Sequence, residues 1–411
     1  MTRRALAVVA VATVLAVAGC QAPMAGSANG GPEPGDRPDG AARQPANVTV
    51  LNGTLAADPG LVFARVQTVA GTDVPPPDQV RAFDSESDYS NASLGGGGLP
   101  PFQEAVGLRT GPVSNASDLR LRFAGQTSAL GTVAVYTGPN ATTDDARLVV
   151  AHELVHYIQF QQGRSTQLSQ QVDPGTTDGS YVVRSLVEGP AVYTTDTYLR
   201  RYTDNGTRNA PTYRAIEAAL PAGHVGRYGN SQYIEGFEYV ASRVEDPANL
   251  SRVYRSPPTT SEQVIHNHTP DEEPPVALET AVTPAEGWQE AGTDRLGEAF
   301  VRTTLAVGVP QARADRAAAG WGNDRLSVYR APGQESAGYV WSFAWDDAGE
   351  AAEFERALRD YLDARGERRD GGWELDGGLT ARVLDPSDRS TVLLLGTEPF
   401  VAGTDASVTA G

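Results

Sequence analysis

Two histidines and a glutamate within one short segment are the side chains of this sequence best suited to chemistry. They are His152, Glu153 and His156, in the segment His-Glu-Leu-Val-His. In a helix, residues i and i+4 lie on one face, so both imidazoles can bind a single ion. Glu153 is then placed as a general base toward a water activated by that ion. The pattern predicts a hydrolytic zinc centre; core histidines bonded to backbone or carboxylates are the alternative.

Catalytic zinc usually takes three protein ligands, so the sequence must supply one more. Our candidate is Glu188, which lies in a second apolar stretch, residues 181–202, that predicts a helix. Pro190 predicts a kink at Glu188 or a helix that begins only at the proline. If that geometry fails, the alternative ligands are Asp178, Asp196 and Glu235.

A helix over residues 144–162 must position the two histidines. Thr142 and Thr143 can cap its start, and Gly163 suits its end. Apolar residues cover most of its circumference, which predicts a helix buried inside a domain. A bound ion would satisfy imidazoles and a carboxylate at such a position. This ligand set favours zinc, with cobalt or manganese as alternatives.

An HExxH helix followed by a helix bearing Glu-Gly-x-Ala resembles the gluzincin group of zinc metallopeptidases. The resemblance implies that His152, His156 and Glu188 are the zinc ligands. It also implies an α+β fold whose mainly helical zincin-like core carries a sheet with an edge strand for an extended substrate. Three further segments resemble parts of the same group: the edge strand at residues 133–136, a Tyr-x-x-Gly helix at 233–240, and a Thr-Ser-Glu-Gln-x-x-His segment at 260–266. Taken together, the chain most resembles a haloarchaeal surface-protein family of unassigned activity.

Peptide hydrolysis also benefits from a donor aimed at the oxyanion that forms on the attacked carbonyl. The candidates are Tyr233, His224 and His266. Each has a structural alternative: a core aromatic, a loop residue and a surface side chain, respectively. We take Glu153, Tyr233 and His266 as the candidate catalytic set.

The start of the chain predicts export and lipid attachment. Arg3 and Arg4 precede an apolar run over residues 5–18, which ends in Val-Ala-Gly-Cys at Cys20. This pattern is typical of a twin-arginine signal peptide with a lipobox, spanning residues 1–19. Cys20 is the only cysteine, so it is available for lipid attachment rather than an internal disulfide. The sequence predicts a lipid-anchored protein on the extracellular face of the membrane.

Asparagine sequons agree with an exported protein. Asn-x-Ser/Thr segments mark exposed glycosylation sites in such chains. They begin at Asn47, Asn52, Asn91, Asn115, Asn140, Asn205, Asn249 and Asn267.

The charge balance is strongly acidic. Asp plus Glu is 51 against 33 for Lys plus Arg, a formal net charge of −18, and the sequence contains no lysine. Concentrated salt screens the self-repulsion of such a surface, which favours a halophilic protein. Nucleic acid is excluded as a partner, because phosphate neutralisation needs a basic face.

Composition divides the remaining chain. Residues 20–46 predict a disordered tether, and residues 47–270 a gluzincin-like domain that includes helices near 211–220 and 231–245. Residues 271–284 predict a linker. Residues 285–403 predict a C-terminal α+β domain, with strands at Arg325–Tyr329 and Tyr339–Trp345, a helix capped by Asp347, and a hairpin over residues 379–395.

Three functional classes follow from these features. The first is a zinc-dependent metallopeptidase that acts on extracellular proteins or peptides. The second is a non-catalytic surface glycoprotein that keeps the metallopeptidase fold for a binding or envelope role. The third is a solute-binding lipoprotein, which the lack of repeated strand-helix alternation disfavours.

Overall fold

A computed structural model describes residues 18–22, 43–85, 99–111, 123–138, 141–204, 206, 208–333 and 336–410. The fold is mixed α+β, as the sequence predicts. The helices are α1 Pro59–Ala70, α2 Pro101–Ala105, α3 Thr143–Gln161, α4 Arg164–Gln171, α5 Thr177–Tyr202, α6 Asn209–Ala219, α7 Val225–Arg243, α8 Ser251–Arg255, α9 Ser261–Ile265, α10 Glu298–Leu305, α11 Gln311–Ala318, α12 Ala348–Arg365 and α13 Glu398–Gly403, with a 3-10 turn at Pro247–Asn249. The strands are β1 Ala18–Ala22, β2 Thr49–Leu51, β3 Gln79–Phe83, β4 Phe123–Thr127, β5 Val133–Thr137, β6 Leu278–Thr283, β7 Gln289–Asp294, β8 Trp321–Arg330, β9 Gly338–Trp345, β10 Gly366–Arg369, β11 Gly372–Leu375, β12 Leu379–Ser387, β13 Ser390–Gly396 and β14 Asp405–Ala410. Within these ranges, no helix combines the length and hydrophobicity needed to cross a membrane.

The sheet beside the HExxH helix has the strand order β1-β4-β5-β3-β2. Strand β5 pairs with β3 on one side and with β4 on the other, so it lies inside the sheet. The prediction of an edge strand at residues 133–136 is therefore wrong. The position next to the edge belongs to β4, a short strand with the sequence Phe-Ala-Gly-Gln-Thr that carries no alternating apolar pattern.

Helix α3 is the predicted HExxH helix. The Thr142 side chain accepts a hydrogen bond from the Asp145 amide, and the Asp145 carboxylate accepts one from the Thr142 amide, which forms a capping box. The middle of α3 packs in a core with α1, β3, β5 and α5. Burial on all sides fixes the rotation of α3 and hence the direction of its histidines.

Helix α5 carries Glu188 and continues unbroken through Pro190. The predicted late start of this helix at the proline does not occur. A proline inside a helix costs about 3 kcal/mol, and burial of most of α5 between α3 and α7 outweighs that loss.

Helices α5 and α7 cross at a backbone contact between two glycines. A Cβ on Gly189 would lie 2.7 Å from Cα of Gly236, and a Cβ on Gly236 would lie 2.9 Å from the carbonyl carbon of Ser185. No side chain fits in these gaps. The glycines of the Glu-Gly-x-Ala and Tyr-x-x-Gly segments are thus explained by a close helix crossing next to Glu188.

The C-terminal unit is built on a sheet with the order β10-β11-β12-β13-β9-β8-β7. The predicted strands β8 and β9, the hairpin β12–β13 and the Asp347-capped helix α12 are all present. The second half of the predicted linker forms β6, which pairs with β14. Asp324 connects strands β8 and β9 to the start of α10. Its carboxylate accepts hydrogen bonds from the backbone amides of Leu296 and Gly297 and from the indole groups of Trp321 and Trp341.

Glu262 is a buried carboxyl group in α9 whose ionisation should destabilise the fold. It is 3% exposed, and burial, with the nearby carboxylate of Glu298, raises its pKa to about 10. Since the folded pKa lies above the unfolded one, its contribution to stability is greatest below pH 4 and is lost as the pH rises toward 10. We expect Glu262→Gln to raise the free energy of unfolding at pH 7 by about 1–3 kcal/mol.

Denaturant unfolding at pH 5, 7 and 9 would measure this effect, and the gain should grow with pH. Glu286→Gln is the matched control, because Glu286 is exposed and lies in the turn between β6 and β7. The prediction would be contradicted if Glu262→Gln were no more stable than the wild type at any of the three pH values.

Candidate metal centre

His152, His156 and Glu188 converge on one point between α3 and α5. The Nε2 atoms of His152 and His156 lie 3.4 Å and 3.1 Å from Oε2 of Glu188. One ligand atom from each residue lies within 4.8 Å of the other two, and no other such trio occurs in the described part of the chain. All three side chains are at most 1% exposed. Two imidazoles and a carboxylate at these distances fit a zinc ion.

The electrostatics of this trio make its two histidines unequal. Burial lowers the pKa of His152 to about 4, and the hydrogen bond to Glu188 only partly opposes that effect. Burial acts in the same direction on His156, but the Glu188 carboxylate outweighs it and raises the pKa of His156 to about 9. Burial alone would raise the pKa of Glu188, but the two histidines outweigh it and hold that pKa well below its usual range. Glu188 is therefore a carboxylate, the form that binds a cation.

Glu153 lies beside the trio and is held by strand β4. Its Oε2 accepts a hydrogen bond from Oγ1 of Thr127 at 2.7 Å, and the same hydroxyl lies 3.0 Å from the Glu153 backbone carbonyl. A Cβ on Gly125 would lie 2.7 Å from Cδ of Glu153, so only glycine leaves room for this carboxylate. Strand β4 thus sets the position of the candidate base.

A second layer of polar side chains supports the histidines. Oε1 of Gln159 lies 2.8 Å from Nδ1 of His156, and the Asn209 amide lies 3.3 Å from Nδ1 of His152. Sequence reasoning missed these residues together with those of β4. The spacing of Gln159, three residues after His156 on one helix face, is a signal that could have identified it. Asn209 and the β4 residues carry no comparable signal in the sequence.

Of the three candidate oxyanion donors, the structure brings Tyr233 to the centre. Its ring centroid lies 6.4 Å from that of His152, and its ring stacks on Tyr213. His224 instead caps α7 by accepting from the Gly226 amide. His266 instead pairs with Glu298 at 3.1 Å, so the structure places this predicted catalytic residue in a different cluster.

The three alternative ligands also have other roles. Asp178 pairs with Arg295 at 3.1 Å. Asp196 accepts from the amides of Asn209 and Ala210 and so caps α6. Glu235 faces a cleft between α7 and α10, and its burial raises its pKa to about 7. Glu188 is the residue that completes the trio.

Several predicted modification sites lie outside the described residues: Asn91, Asn115, Asn140 and Asn205, together with residues 1–17 of the predicted signal peptide and 23–42 of the predicted tether. The described sequon asparagines are exposed: Asn47, Asn52, Asn249 and Asn267. Cys20 lies in β1, which pairs antiparallel with β4 so that Cys20 is opposite Gly125.

Comparison with known proteins reaches only the C-terminal unit. A family model described as a domain of unknown function (DUF8575) matches residues 278–406, from β6 into β14. The match contains none of the metal-centre residues. No curated protein and no solved structure matches the chain.

Proposed function

We propose that this chain is a zinc-dependent metallopeptidase, lipid-anchored at the cell surface, that hydrolyses peptide bonds. The observation that carries the proposal is the convergence of His152, His156 and Glu188 with Glu153 alongside. The proposal includes the gluzincin-like character expected from the HExxH and Glu-Gly-x-Ala segments. A purely structural ion would require the three ligands but not the additional buried carboxylate of Glu153 beside them.

In the proposed reaction, His152, His156 and Glu188 would hold a zinc ion. When bound there, zinc would act as a Lewis acid toward the scissile carbonyl and would lower the pKa of water. Glu153 takes the proton from the attacking water and passes it to the leaving amine. Thr127 keeps that carboxylate in place through its hydroxyl. Tyr233, the candidate donor nearest the centre, is assigned to the oxyanion.

The edge of β4 that pairs with β1 is the proposed docking site for an extended substrate. The segment Ala18–Ala22 pairs with β4 over five residues, from Ala18 opposite Thr127 to Ala22 opposite Phe123. Because this edge accepts one extended segment of the chain, it has the backbone geometry to accept a peptide in the same way. A peptide in this register would cross Gly125, directly beside Glu153.

Location at the cell surface is proposed from the sequence. The twin-arginine leader and Cys20 supply export and the anchor, and the partner is then an extracellular protein or peptide. The exposed sequon at Asn249 and the net charge of −18 are consistent with an extracellular, salt-adapted surface.

One observation favours the alternative of a non-catalytic surface glycoprotein. The side chains of the trio and Glu153 are at most 1% exposed, and β1 contacts both α3 and α6 over this region. Cleavage before Cys20 would remove Ala18 and Gly19 from β1, and a substrate would pair with β4 only after the remaining residues, 20–22, move away from it. A protein that keeps its metal buried for structure or binding would not need that movement.

Metal content and cleavage, measured together, separate these functions. The purified mature protein in concentrated salt should contain about one zinc per chain by elemental analysis. It should cleave an internally quenched peptide library, lose that activity to a zinc chelator and regain it with added zinc. Zinc without cleavage would support the surface glycoprotein. Absence of bound metal in the folded protein would overturn the zinc peptidase.

Gly125→Ala tests the role of β4. The new methyl group would overlap the Glu153 carboxylate and push it from its position, because Glu153 is confined by Thr127. Misplacing a catalytic group by about 1 Å lowers a rate about 10²-fold, so we expect a loss of that order in kcat with zinc content unchanged. Gly292→Ala is the control, since this strand glycine has open space around its Cβ position. Equal activity of the two variants would refute the proposed confinement of Glu153.

A further inference from the structure

The hydrogen bonds of Gln159 determine how its amide is oriented. Gln159 is 4% exposed. On one side, its amide lies 2.8 Å from the backbone carbonyl of Val187 and 3.1 Å from the hydroxyl of Tyr254. A backbone carbonyl only accepts hydrogen bonds, so the amide nitrogen of Gln159 must face Val187. The oxygen Oε1 then faces His156.

This orientation fixes the tautomer of His156. Oε1 of Gln159 lies 2.8 Å from Nδ1 of His156 and can only accept, so Nδ1 carries a proton. In a neutral imidazole the other nitrogen, Nε2, then carries the free lone pair. That atom lies 3.1 Å from Oε2 of Glu188, on the side where the ligand atoms converge.

Gln159 also links the two ligand-bearing helices. Its Oε1 contacts His156 on α3. Its Nε2 donates to the backbone carbonyl of Val187, the residue before Glu188 on α5. His152 has a less determined partner. The Asn209 side chain points its Nδ2 toward Nδ1 of His152, and its Oδ1 is buried without a hydrogen bond. If the amide were turned over, Oδ1 would instead accept a hydrogen bond from the imidazole.

We propose that Gln159 is a positioning residue for zinc: by accepting from Nδ1 of His156, it keeps Nε2 as the ligand atom. The inference rests on the proposed metal centre but not on hydrolysis. Outer partners of metal-binding histidines typically change metal affinity about 10–100-fold when they are removed. Gln159 would act in this way through an amide oxygen rather than the more common carboxylate.

Three variants separate positioning from structure. Gln159→Leu removes both the acceptor and the donor, whereas Gln159→Glu keeps an acceptor for His156 but cannot donate to Val187. Gln167→Leu is the matched control, because Gln167 donates to the backbone carbonyl of Tyr254 and does not contact a histidine. Circular dichroism in concentrated salt verifies that each variant is folded.

The readout is the zinc Kd of the full mature protein, measured by competition with a chromophoric chelator. We expect Gln159→Leu to weaken zinc binding about 10–100-fold, and Gln159→Glu and Gln167→Leu to stay within about threefold of wild type. An unchanged Kd in Gln159→Leu would overturn the proposal. So would an equal loss in Gln159→Leu and Gln159→Glu, since the helix link alone would then explain the effect.

A second measurement on the wild type does not depend on any variant folding. Nitrogen-15 NMR of the zinc-loaded protein should show His156 bound through Nε2, with a proton on Nδ1. Coordination through Nδ1 would overturn the proposal while leaving the zinc centre intact. A wild-type protein that binds no zinc would instead overturn the centre and this inference together, so the two failures are distinguishable.

Discussion

Replacing Glu188 with alanine should remove essentially all bound zinc from the mature protein. Glu188 is one of the three proposed ligands, and its Oε2 is the atom on which both histidine Nε2 atoms converge. The variant leaves two imidazoles at a site built for three ligands, and the remaining pair cannot hold the ion against dilution. Elemental analysis after dialysis in concentrated salt, with circular dichroism to verify folding, measures the loss. His156→Ala should behave in the same way.

Glu235→Ala is the matched control for this experiment. Glu235 is also a glutamate on a helix, α7, and it is one of the alternative ligands considered from the sequence, but it faces a separate cleft. Its variant should keep the wild-type zinc content. Loss of zinc from Glu235→Ala, with retention in Glu188→Ala, would reverse the ligand assignment.

Glu153→Gln should give a protein that keeps its zinc and loses its peptidase activity. The amide has nearly the shape of the carboxylate and can still bond to Thr127, but it cannot take a proton from water. General base catalysis contributes about 10²–10⁴-fold, so we expect kcat to fall by about 10³ or more. Cleavage of the quenched peptides, together with zinc content, makes the measurement.

Thr127→Ala provides the graded comparison. It removes the hydrogen bond that holds the Glu153 carboxylate but leaves the base itself, so its loss of activity should be about tenfold and smaller than that of Glu153→Gln. Wild-type activity in Glu153→Gln would mean that any observed cleavage arises elsewhere than at this centre.

The helices that carry the centre were predictable because their signals are local. The cap at Thr142, the apolar circumference and the Gly163 exit place α3 as residues Thr143–Gln161, within one residue of the prediction at each end. Type and spacing predict His152, Glu153 and His156, whereas Glu188 is predicted from its apolar stretch and from the resemblance of its Glu-Gly-x-Ala segment to gluzincins. Their convergence required the fold.

The misassigned parts depend on long-range packing. Pro190 is a strong local signal for a helix break, and contacts with neighbouring helices override it. Strand β4 is too short and too polar to stand out, so Thr127 and Gly125 could not be linked to Glu153 in advance. His266 resembled a site residue by its segment, but Glu298 and Arg302 hold it in another cluster.

The glycine crossing of α5 and α7 has a consequence for how the proposed metal centre would lose an ion. Because Gly189 and Gly236 meet backbone to backbone, the two helices cannot separate gradually by rearranging side chains. Glu188 is adjacent to this contact and moves only with the helix pair. An ion held by the trio should therefore be released on heating together with cooperative melting of the helical core, so that the ion and the crossing would stabilise one another as a single thermodynamic unit.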